Sequence, residues 1–299
     1  MGYYSFDKAM KEKYGGKVYR LSLSTGCTCP NRDGKCGTGG CIFCSGGGSG
    51  EFASLAVLPI SKQIEAAKEK VASKLSSNFA GYIAYFQSFS NTYVHSNEER
   101  AHLEEIFTEA ISYPEILGLA VATRPDCLSG EIVDMLKRLN GIKPVWVELG
   151  LQTSNDDTAG YINRGYRTEV YDEAVGRLHE SGISVVTHVI VGLPGEDDKD
   201  AQETVRHIVS NSSEGDGVKI TLLYLIEGTK LADMVKRGET VLHEYSLEEY
   251  AGVLKGLLDM LPEKMAVHRV TGDPPKASLI SPRWTADKKK VLNYLNKML

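Results

Sequence analysis

Five of the six cysteines in this 299-residue chain fall within eighteen consecutive positions, 27–44. The segment that leads into them, residues 17–25, has the β-favouring, partly apolar composition of a strand. The cysteines are therefore predicted on a loop at the carboxyl end of a first strand, where parallel α/β folds build their sites. Thiols clustered in this way, in a chain of cytosolic composition, indicate a metal centre rather than a disulfide framework.

Three of these cysteines form a spacing suited to metal binding. Cys29, Cys41 and Cys44 read C-x11-C-x2-C, and the CxxC turn lets two sulfurs face one metal centre. Three thiolates on a cubane iron–sulfur cluster leave one iron open, whereas four thiolates can hold zinc. Cys27 and Cys36 are extra to this spacing, and both are also explained as bystander thiols without a ligand role. C-x13-C-x2-C from Cys27 is also geometrically possible, because so long a loop is flexible. From the spacing alone, these cysteines are compatible with a structural zinc site as well as with an iron–sulfur cluster.

Composition and charge narrow the class of protein. Hydrophobic residues make up 42% of the chain and charged residues 24%, as in ordinary soluble proteins with a large core. No apolar run of eighteen residues occurs, and the first sixteen residues lack the apolar core of a signal peptide. We therefore expect a cytoplasmic protein without a membrane partner, where iron–sulfur ligands stay reduced. The net charge of −5 argues against whole-surface nucleic-acid binding but permits a local basic patch.

Strand and helix patterns alternate along the chain. Strands are predicted at 17–25, 81–89, 115–123, 145–151, 184–194 and 218–226. Helices are predicted at 60–75, 98–112, 129–139, 169–181, 200–210, 246–261 and 285–299, with a short one in residues 1–16. This alternation predicts a parallel sheet with right-handed crossovers. Six βα units predict an α/β fold, a partial (βα)6 TIM-like barrel that is open on one side. We expect residues 1–16 to form an N-terminal arm, 17–230 the barrel, and 231–299 a C-terminal extension closing the open side.

The cysteine loop resembles a known family. Residues 29–47, CPNRDGKCGTGGCIFCSGG, are similar to the loop of YhcC-like radical S-adenosyl-L-methionine (SAM) proteins, relatives of the Elongator catalytic subunit. Their expanded spacing differs from the familiar C-x3-C-x2-C, which would need a cysteine at Gly37. The resemblance continues through 85–93 (YFQSFSNTY), 122–128 (ATRPDCL), 146–153 (WVELGLQT), 188–196 (HVIVGLPGE) and 268–275 (HRVTGDPP).

The resemblance implies cofactors and chemistry. Cys29, Cys41 and Cys44 would ligate a [4Fe–4S] cluster, and SAM would occupy the free iron through its amino and carboxylate groups. Reductive cleavage of SAM to a 5′-deoxyadenosyl radical then follows, with flavodoxin or ferredoxin as the expected electron donor. A structural zinc knuckle becomes a much weaker alternative once the downstream motifs are included.

Residues at three strand ends are implied to contact SAM. Gln87 and Ser88 lie where the superfamily receives the SAM amino group, through side chains or backbone carbonyls. Gln152 would contact the SAM ribose or carboxylate. Thr123 and Arg124 would contact SAM or substrate, although the Arg-Pro-Asp corner is equally explained as a salt-bridged turn.

Three further features have both SAM-binding and structural explanations. Arg164, in Asn-Arg-Gly, lies where the superfamily pairs an arginine with the SAM carboxylate, a contact that suits a planar guanidinium. His188 lies on the strand that packs against adenine, but a lone strand histidine is often a satisfied core group. The glycine-rich segment 45–53 would bring backbone close to the cluster and SAM, or else serve as a flexible linker.

Residues in the last third of the chain are expected to reach substrate rather than SAM. They are Lys219 on the sixth strand and His268, Arg269, Asp273 and Arg283 in the extension. Trp284 lies close to the lysine run 288–290, a combination that suits phosphate binding and base stacking. A solvated helix face is the commoner explanation of such a run.

Three functions remain open from the sequence. The favoured one, by resemblance, is a radical SAM enzyme that acts on tRNA and remodels the carboxymethylaminomethyl group at carbon 5 of the wobble uridine to aminomethyl. The second is a radical SAM enzyme acting on a small metabolite or peptide, which the acidic net charge permits. The third is a non-enzymatic zinc or RNA-binding module.

Overall fold

Seven parallel strands form one curled sheet in the computed structural model, which describes residues 2–48 and 56–299. They are β1 (Lys17–Leu23), β2 (Phe79–Phe86), β3 (Ile116–Thr123), β4 (Val145–Gln152), β5 (Ser184–Val191), β6 (Gly217–Leu222) and β8 (Ala266–Arg269), adjacent in that order. A separate antiparallel pair is formed by β7 (Leu225–Ile226) and β9 (Leu279–Ser281). The predicted partial α/β barrel is confirmed.

Helices flank this sheet in the described part of the chain. They are α1 (Phe6–Tyr14), α2 (Ile60–Ala72), α3 (Asn97–Ser112), α4 (Gly130–Asn140), α5 (Asp156–Tyr161), α6 (Thr168–Glu180), α7 (Asp198–Ser210), α8 (Lys230–Lys236), α9 (Leu247–Leu258) and α10 (Lys288–Met298). Side-chain caps fix several starts; Ser129 accepts a hydrogen bond from the Ile132 amide, as its sequence position predicted. In the described part of the chain, no helix is long and apolar enough to cross a membrane.

The sheet has seven strands where the sequence predicted six. The additional strand, β8, lies within residues 231–299, so the predicted extension completes the sheet instead of only covering its open side. The predicted fifth strand, 184–194, ends earlier at Val191, because Gly192 takes φ +83° and turns the chain out of the sheet. Helices α5 and α8 were not predicted.

The inner face of the barrel is built in layers. Its lowest layer is apolar, and the inward-facing side chains form one cluster with Met10 of α1: Val18, Ile83, Ala120, Trp146 and Val186. Helix α1 contacts both edge strands, β1 and β8, and the Val267 amide donates to the Tyr4 carbonyl at 2.8 Å. The N-terminal arm therefore seals the amino end of the barrel. Charged side chains occupy the next layer up.

Met10→Ala tests the sealing role of α1. Met10 is 5% exposed and packs into the apolar base, so its truncation leaves a cavity and should lower the free energy of unfolding by about 2 kcal/mol or more. Urea denaturation followed by circular dichroism measures the change. Lys11→Ala, on the exposed side of the same helix, should stay within about 0.5 kcal/mol. Equal effects of both substitutions would show that α1 does not seal the barrel.

Candidate active site

A cavity of about 330 Å³ opens where the parallel strands end, and three cysteines line it. These are Cys29, Cys41 and Cys44, the three that the family resemblance implies as cluster ligands. Cys27 and Cys36 lie on the same loop but do not line the cavity, and Cys36 is exposed. The structure therefore separates the two extra thiols from the other three.

A buried isoleucine holds the CxxC turn in place. Within the turn, the Cys44 amide donates to the Cys41 carbonyl at 3.0 Å. Between these cysteines, the Ile42 amide donates to the Ile162 carbonyl at 3.0 Å, and the Ile42 carbonyl accepts from the Leu231 amide at 2.8 Å. The Ile42 side chain is 2% exposed and belongs to a small core with Ile162 and Leu231. The turn is thus fixed by two elements distant in sequence, which sequence reasoning did not foresee.

Asn31 organises the expanded part of the cysteine loop. The Gly40 amide donates to the Asn31 carbonyl at 2.8 Å, and Asn163 Nδ2 donates to the Gly40 carbonyl at 2.8 Å. Asn31 Nδ2 in turn donates to the Asn163 carbonyl and lies 3.9 Å from the Cys41 sulfur. A Cβ at Gly37 would lie 2.1 Å from Asn31 Oδ1. A side chain at position 37 would therefore displace the Asn31 amide.

The thiol set fits an iron–sulfur cluster in chemistry and surroundings. Burial raises the pKa of the Cys41 thiol to about 12, and the neighbouring thiols of Cys44 and Cys29 add to the rise. Among the residues that the structure describes, no three His, Cys, Asp or Glu side chains converge tightly enough to hold a single metal ion. Three soft thiol ligands on one cavity wall, with the ring of Phe43 beside them, are suited to a cluster.

The chain after β2 is strained and tied to the cysteine loop. Ser88 and Phe89 both have positive φ, +73° and +54°, which is rare outside glycine and frequent at functional sites. The Phe89 amide donates to the Gly48 carbonyl at 3.2 Å. Gln87 and Ser88 line the cavity beside the cysteines, where the sequence placed them. Of the predicted segment 45–53, residues 49–53 lie outside the described residues.

The residues at the end of β3 are engaged in contacts within the protein. Thr123 Oγ1 lies 2.7 Å from Thr92 Oγ1 in a buried hydroxyl pair. The Arg124 guanidinium forms a fork on Asp126, at 2.9 and 2.7 Å, and also donates to the Arg164 carbonyl at 2.7 Å. Both Thr123 and Arg124 border the cavity. The fork between Arg124 and Asp126 makes the Arg-Pro-Asp corner a salt-bridged turn, which was one of its two explanations from the sequence.

Arg164 is engaged within the protein. Its side chain is 1% exposed, and each of its five N–H donors has a protein acceptor. The acceptors are the Leu151, Thr153 and Tyr166 carbonyls, Asp156 Oδ1 and Thr168 Oγ1. The predicted bidentate pairing with the SAM carboxylate would need donors that are already used. In this structure Arg164 ties the end of β4 to the start of α6.

Gln152 and His188 both line the cavity, on neighbouring strands. Gln152 ends β4 with φ +62°, and its amide packs against the Gly150 and Leu151 carbonyls. The His188 side chain is 31% exposed, and its Nε2 lies 2.9 Å from Glu148 Oε2. His188 is therefore neither a fully buried core group nor free, because a carboxylate orients its ring.

A buried carboxylate organises the layer beneath the cysteines. Glu148 is 1% exposed, Arg20 Nη1 lies 3.0 Å from its Oε1, and Lys219 contacts its Oε2. Burial opposes ionisation of Glu148, but Lys219 and Arg20 outweigh it and hold the pKa of this carboxyl well below its ordinary value. Lys219 also donates to the Tyr85 hydroxyl at 3.1 Å. We call these residues, with His188 and His268, the charged floor.

Sequence reasoning missed part of the charged floor and misjudged another part. Arg20 and Tyr85 were not predicted as site residues, although a charge at an inward position of an apolar strand was a usable signal. Lys219 lines the cavity as expected, but His268 packs behind the wall, against Arg20 and the ring of Phe6. Burial and then Arg20 hold the His268 pKa well below its ordinary value.

The extension reaches the cavity through one short segment. Arg269 and Asp273 line the cavity, and Asp273 Oδ2 lies 2.6 Å from Lys288 Nζ at the start of α10. Arg283 is exposed in the 3-10 turn before that helix. Trp284 is a correction: its Nε1 donates to the Tyr245 carbonyl at 2.8 Å and its ring packs against the main core, so it is not presented for base stacking.

Comparison with known proteins agrees with this geometry. The Radical SAM superfamily model matches residues 24–208, and the Radical_SAM C-terminal domain matches residues 215–299. Protein YtqA of Bacillus subtilis is 38% identical over 99% of this chain and 89% of its own, and protein YhcC of Escherichia coli is 33% identical over 93% and 86%. A Methanocaldococcus jannaschii protein named tRNA uridine(34) acetyltransferase is 32% identical, over 55% of this chain and 30% of its own.

A solved structure shows the same fold. The chain superimposes on Methanocaldococcus infernus Elp3 with a TM-score of 0.66 at 18% identity, covering 94% of this chain and 63% of that one. The superfamily match spans more than half of the chain, and YtqA and YhcC match nearly all of it. The chain therefore belongs to the radical SAM superfamily of enzymes, as a YhcC-like member whose cofactors are a [4Fe–4S] cluster and SAM.

Proposed function

We propose that Cys29, Cys41 and Cys44 hold the [4Fe–4S] cluster and that SAM binds at its open iron. The support is that these three thiols, and neither Cys27 nor Cys36, line the cavity at the strand ends. When bound, the two cofactors supply a carbon radical that can remove a hydrogen atom from an unactivated carbon.

The protein's own residues position SAM and exclude water. Gln87 and Ser88 present side-chain and backbone oxygens beside the cysteines, where an amino group would be received. Gln152 and His188 supply polar atoms on the adjoining strands, while Phe43 and Ile190 give the wall apolar surface. Arg164 acts only as a brace for the loop in this account, since its donors are used within the protein.

We propose tRNA as the substrate, modified at carbon 5 of the wobble uridine, with carboxymethylaminomethyl converted to aminomethyl. SAM, cleaved to methionine and 5′-deoxyadenosine, would be the two-electron oxidant: the N–CH2 carbon would lose a hydrogen atom and an electron, and hydrolysis of the resulting imine would break the N–C bond and release glyoxylate. One support is the partial similarity to a protein named tRNA uridine(34) acetyltransferase. The other is charge distribution: residues 264–299 contain eight Lys or Arg and two Asp, a net +6 in a chain of net −5. Such segregation favours a local polyanion-binding surface.

The start of α10, within the basic segment, lies beside the cavity. Lys288 contacts Asp273, which lines the cavity, and Lys289 and Lys290 follow on the exposed start of α10. We propose that residues 231–299 grip the RNA backbone while residues 17–230 carry the chemistry and residues 1–16 act as the arm. The reducing electron would come from a flavodoxin or ferredoxin.

Cysteine-to-alanine variants test the ligand assignment. The wild-type protein, reconstituted anaerobically, should hold about four iron atoms per chain. The variants Cys29→Ala, Cys41→Ala and Cys44→Ala should each lose most of this iron, since a cubane cluster needs all three thiolates. Iron and acid-labile sulfide analysis measures this. Cys27→Ala and Cys36→Ala are matched controls on the same loop and should keep full iron content. Iron loss in a control, with retention in one of the three, would overturn the assignment.

Salt dependence tests the RNA surface. Replacing Lys289 and Lys290 by Ala should reduce the slope of log K against log salt concentration for tRNA binding by about 1.4 to 1.8, since each phosphate contact contributes about 0.7 to 0.9. Filter binding across salt concentrations gives the slope. Lys255→Ala with Lys199→Ala, on two outer helices, is the charge-matched control and should leave it unchanged. A wild-type protein without tRNA binding at low salt would exclude RNA as substrate.

The decisive functional test is nucleoside mass spectrometry of tRNA from cells with and without the gene. We expect 5-carboxymethylaminomethyluridine derivatives to accumulate without the gene, and aminomethyl derivatives to return with the wild-type copy but not with Cys44→Ala. Unchanged nucleosides, in a strain that makes the carboxymethylaminomethyl precursor, would contradict the tRNA proposal and favour a small-molecule or peptide substrate.

A further inference from the structure

Three basic side chains lie in a row across neighbouring strands inside the cavity. The strand registers pair His188 of β5 with Lys219 of β6, and Lys219 with Arg269 of β8. All three residues line the cavity. The side chains of His188, Lys219 and Arg269 are 31%, 5% and 41% exposed, respectively. The middle residue of the row is therefore buried, and the two outer residues are partly open to solvent.

The acidic groups around this row do not match its charge. Glu148 is the carboxylate in contact with Lys219 and His188, and Arg20 shares it from β1. Asp273 lies 3.6 Å from Arg269 but is also shared, at 2.6 Å, with Lys288. Each carboxylate thus serves more than one cation, and the row carries excess positive charge.

The ionisation of these groups reflects the same imbalance. Burial, together with repulsion from Arg20 and Arg269, holds the Lys219 pKa well below its ordinary value although Glu148 opposes the shift. Burial and then Lys219 lower the pKa of His188 as well. A buried cation that is short of counter-charge becomes more stable when an anion is placed beside it.

We propose that Lys219, Arg269 and His188 form a subsite for a carboxylate of the substrate. Glu148 contacts Lys219 and His188 from the side of the subsite. The inference rests on the proposed function, because the carboxymethylaminomethyl group ends in a carboxylate that would enter the cavity. An ammonium and a guanidinium offer charge-assisted hydrogen bonds to both oxygens of such a group. Glu148 holds Lys219 and His188 in place and so acts as a positioning residue.

SAM also carries a carboxylate, and the test must separate the two sources. In the proposed function the SAM carboxylate binds at the open iron, beside the cysteines. A substrate subsite therefore predicts that variants of the row change the affinity for the substrate's acid but not the affinity for SAM.

Equilibrium binding to the reconstituted holoenzyme, without reductant and therefore without turnover, tests the subsite. Calorimetric titration in the presence of SAM compares 5-carboxymethylaminomethyluridine with its carboxamide, which has nearly the same shape and the same amine but lacks the carboxylate charge. The wild-type protein should bind the acid about ten- to hundredfold more tightly than the carboxamide. This is the gain in affinity that a hydrogen bond to a charged group typically contributes. Lys219→Met and Arg269→Gln should each reduce this preference to about threefold or less, whereas Lys255→Met, on the outer face of α9, should leave it intact.

Each further outcome bears on one proposal. Circular dichroism checks that Lys219→Met is folded, and Arg269→Gln at the exposed rim keeps the test valid if it is not. Equal binding of acid and carboxamide by the wild-type protein, or a preference that survives both substitutions, overturns the subsite. A parallel loss of SAM affinity would assign the row to the cofactor and overturn it too.

Small probes separate this proposal from the tRNA proposal. N-methylglycine and its carboxamide carry the same acid and amide ends without a nucleoside. If Lys219 and Arg269 determine the preference for this acid while the nucleosides of cellular tRNA are unchanged by the gene, the subsite stands and the wobble-uridine substrate falls. If tRNA is modified but no acid preference exists, the subsite alone falls.

Discussion

The backbone clamp on Ile42 is the interaction on which the proposed chemistry depends. Cys41 and Cys44 flank this residue, and its amide and carbonyl are bonded to Ile162 and Leu231, from two elements distant in sequence. Both partners also pack against the Ile42 side chain in one small core. Ligands for a cluster must be held to within a fraction of an ångström, and a free loop cannot do this. The clamp makes the position of two thiols a property of the whole barrel.

The barrel interior combines two layers with opposite physical character. The apolar base, sealed by α1, excludes water below, and the charged floor lies between it and the cysteines. Burying Glu148 with Arg20 and Lys219 has a large desolvation cost, which apolar residues of similar volume would avoid. A charged layer directly beneath the cavity is therefore better explained by ligand recognition than by stability. The same logic does not apply to Arg164, whose five donors all serve the fold.

Much of the architecture follows from local sequence patterns, because strand and helix periodicity is local. The strands from β1 to β6, the cap at Ser129 and the three cavity-lining cysteines were all predicted. The β8 strand was not predicted, because its sequence, AVHR, is short and shows no alternation of apolar and polar residues. Its place after a helix is also typical of a loop. Arg20 and Tyr85 were missed because their roles depend on the pairing of strands more than sixty residues apart. Trp284 was misjudged because a residue type does not reveal whether its ring and its donor are already used within the fold.

The proposed cluster site depends on three thiols that would leave one iron open to SAM. Mössbauer spectroscopy of protein reconstituted with ⁵⁷Fe, recorded before and after addition of SAM, tests this most directly. The account predicts a [4Fe–4S] cluster in which one of the four irons changes its environment when SAM binds, while the other three stay tetrahedral in sulfur. A spectrum that SAM leaves unchanged, or a protein that takes up one zinc in place of the cluster, would contradict it.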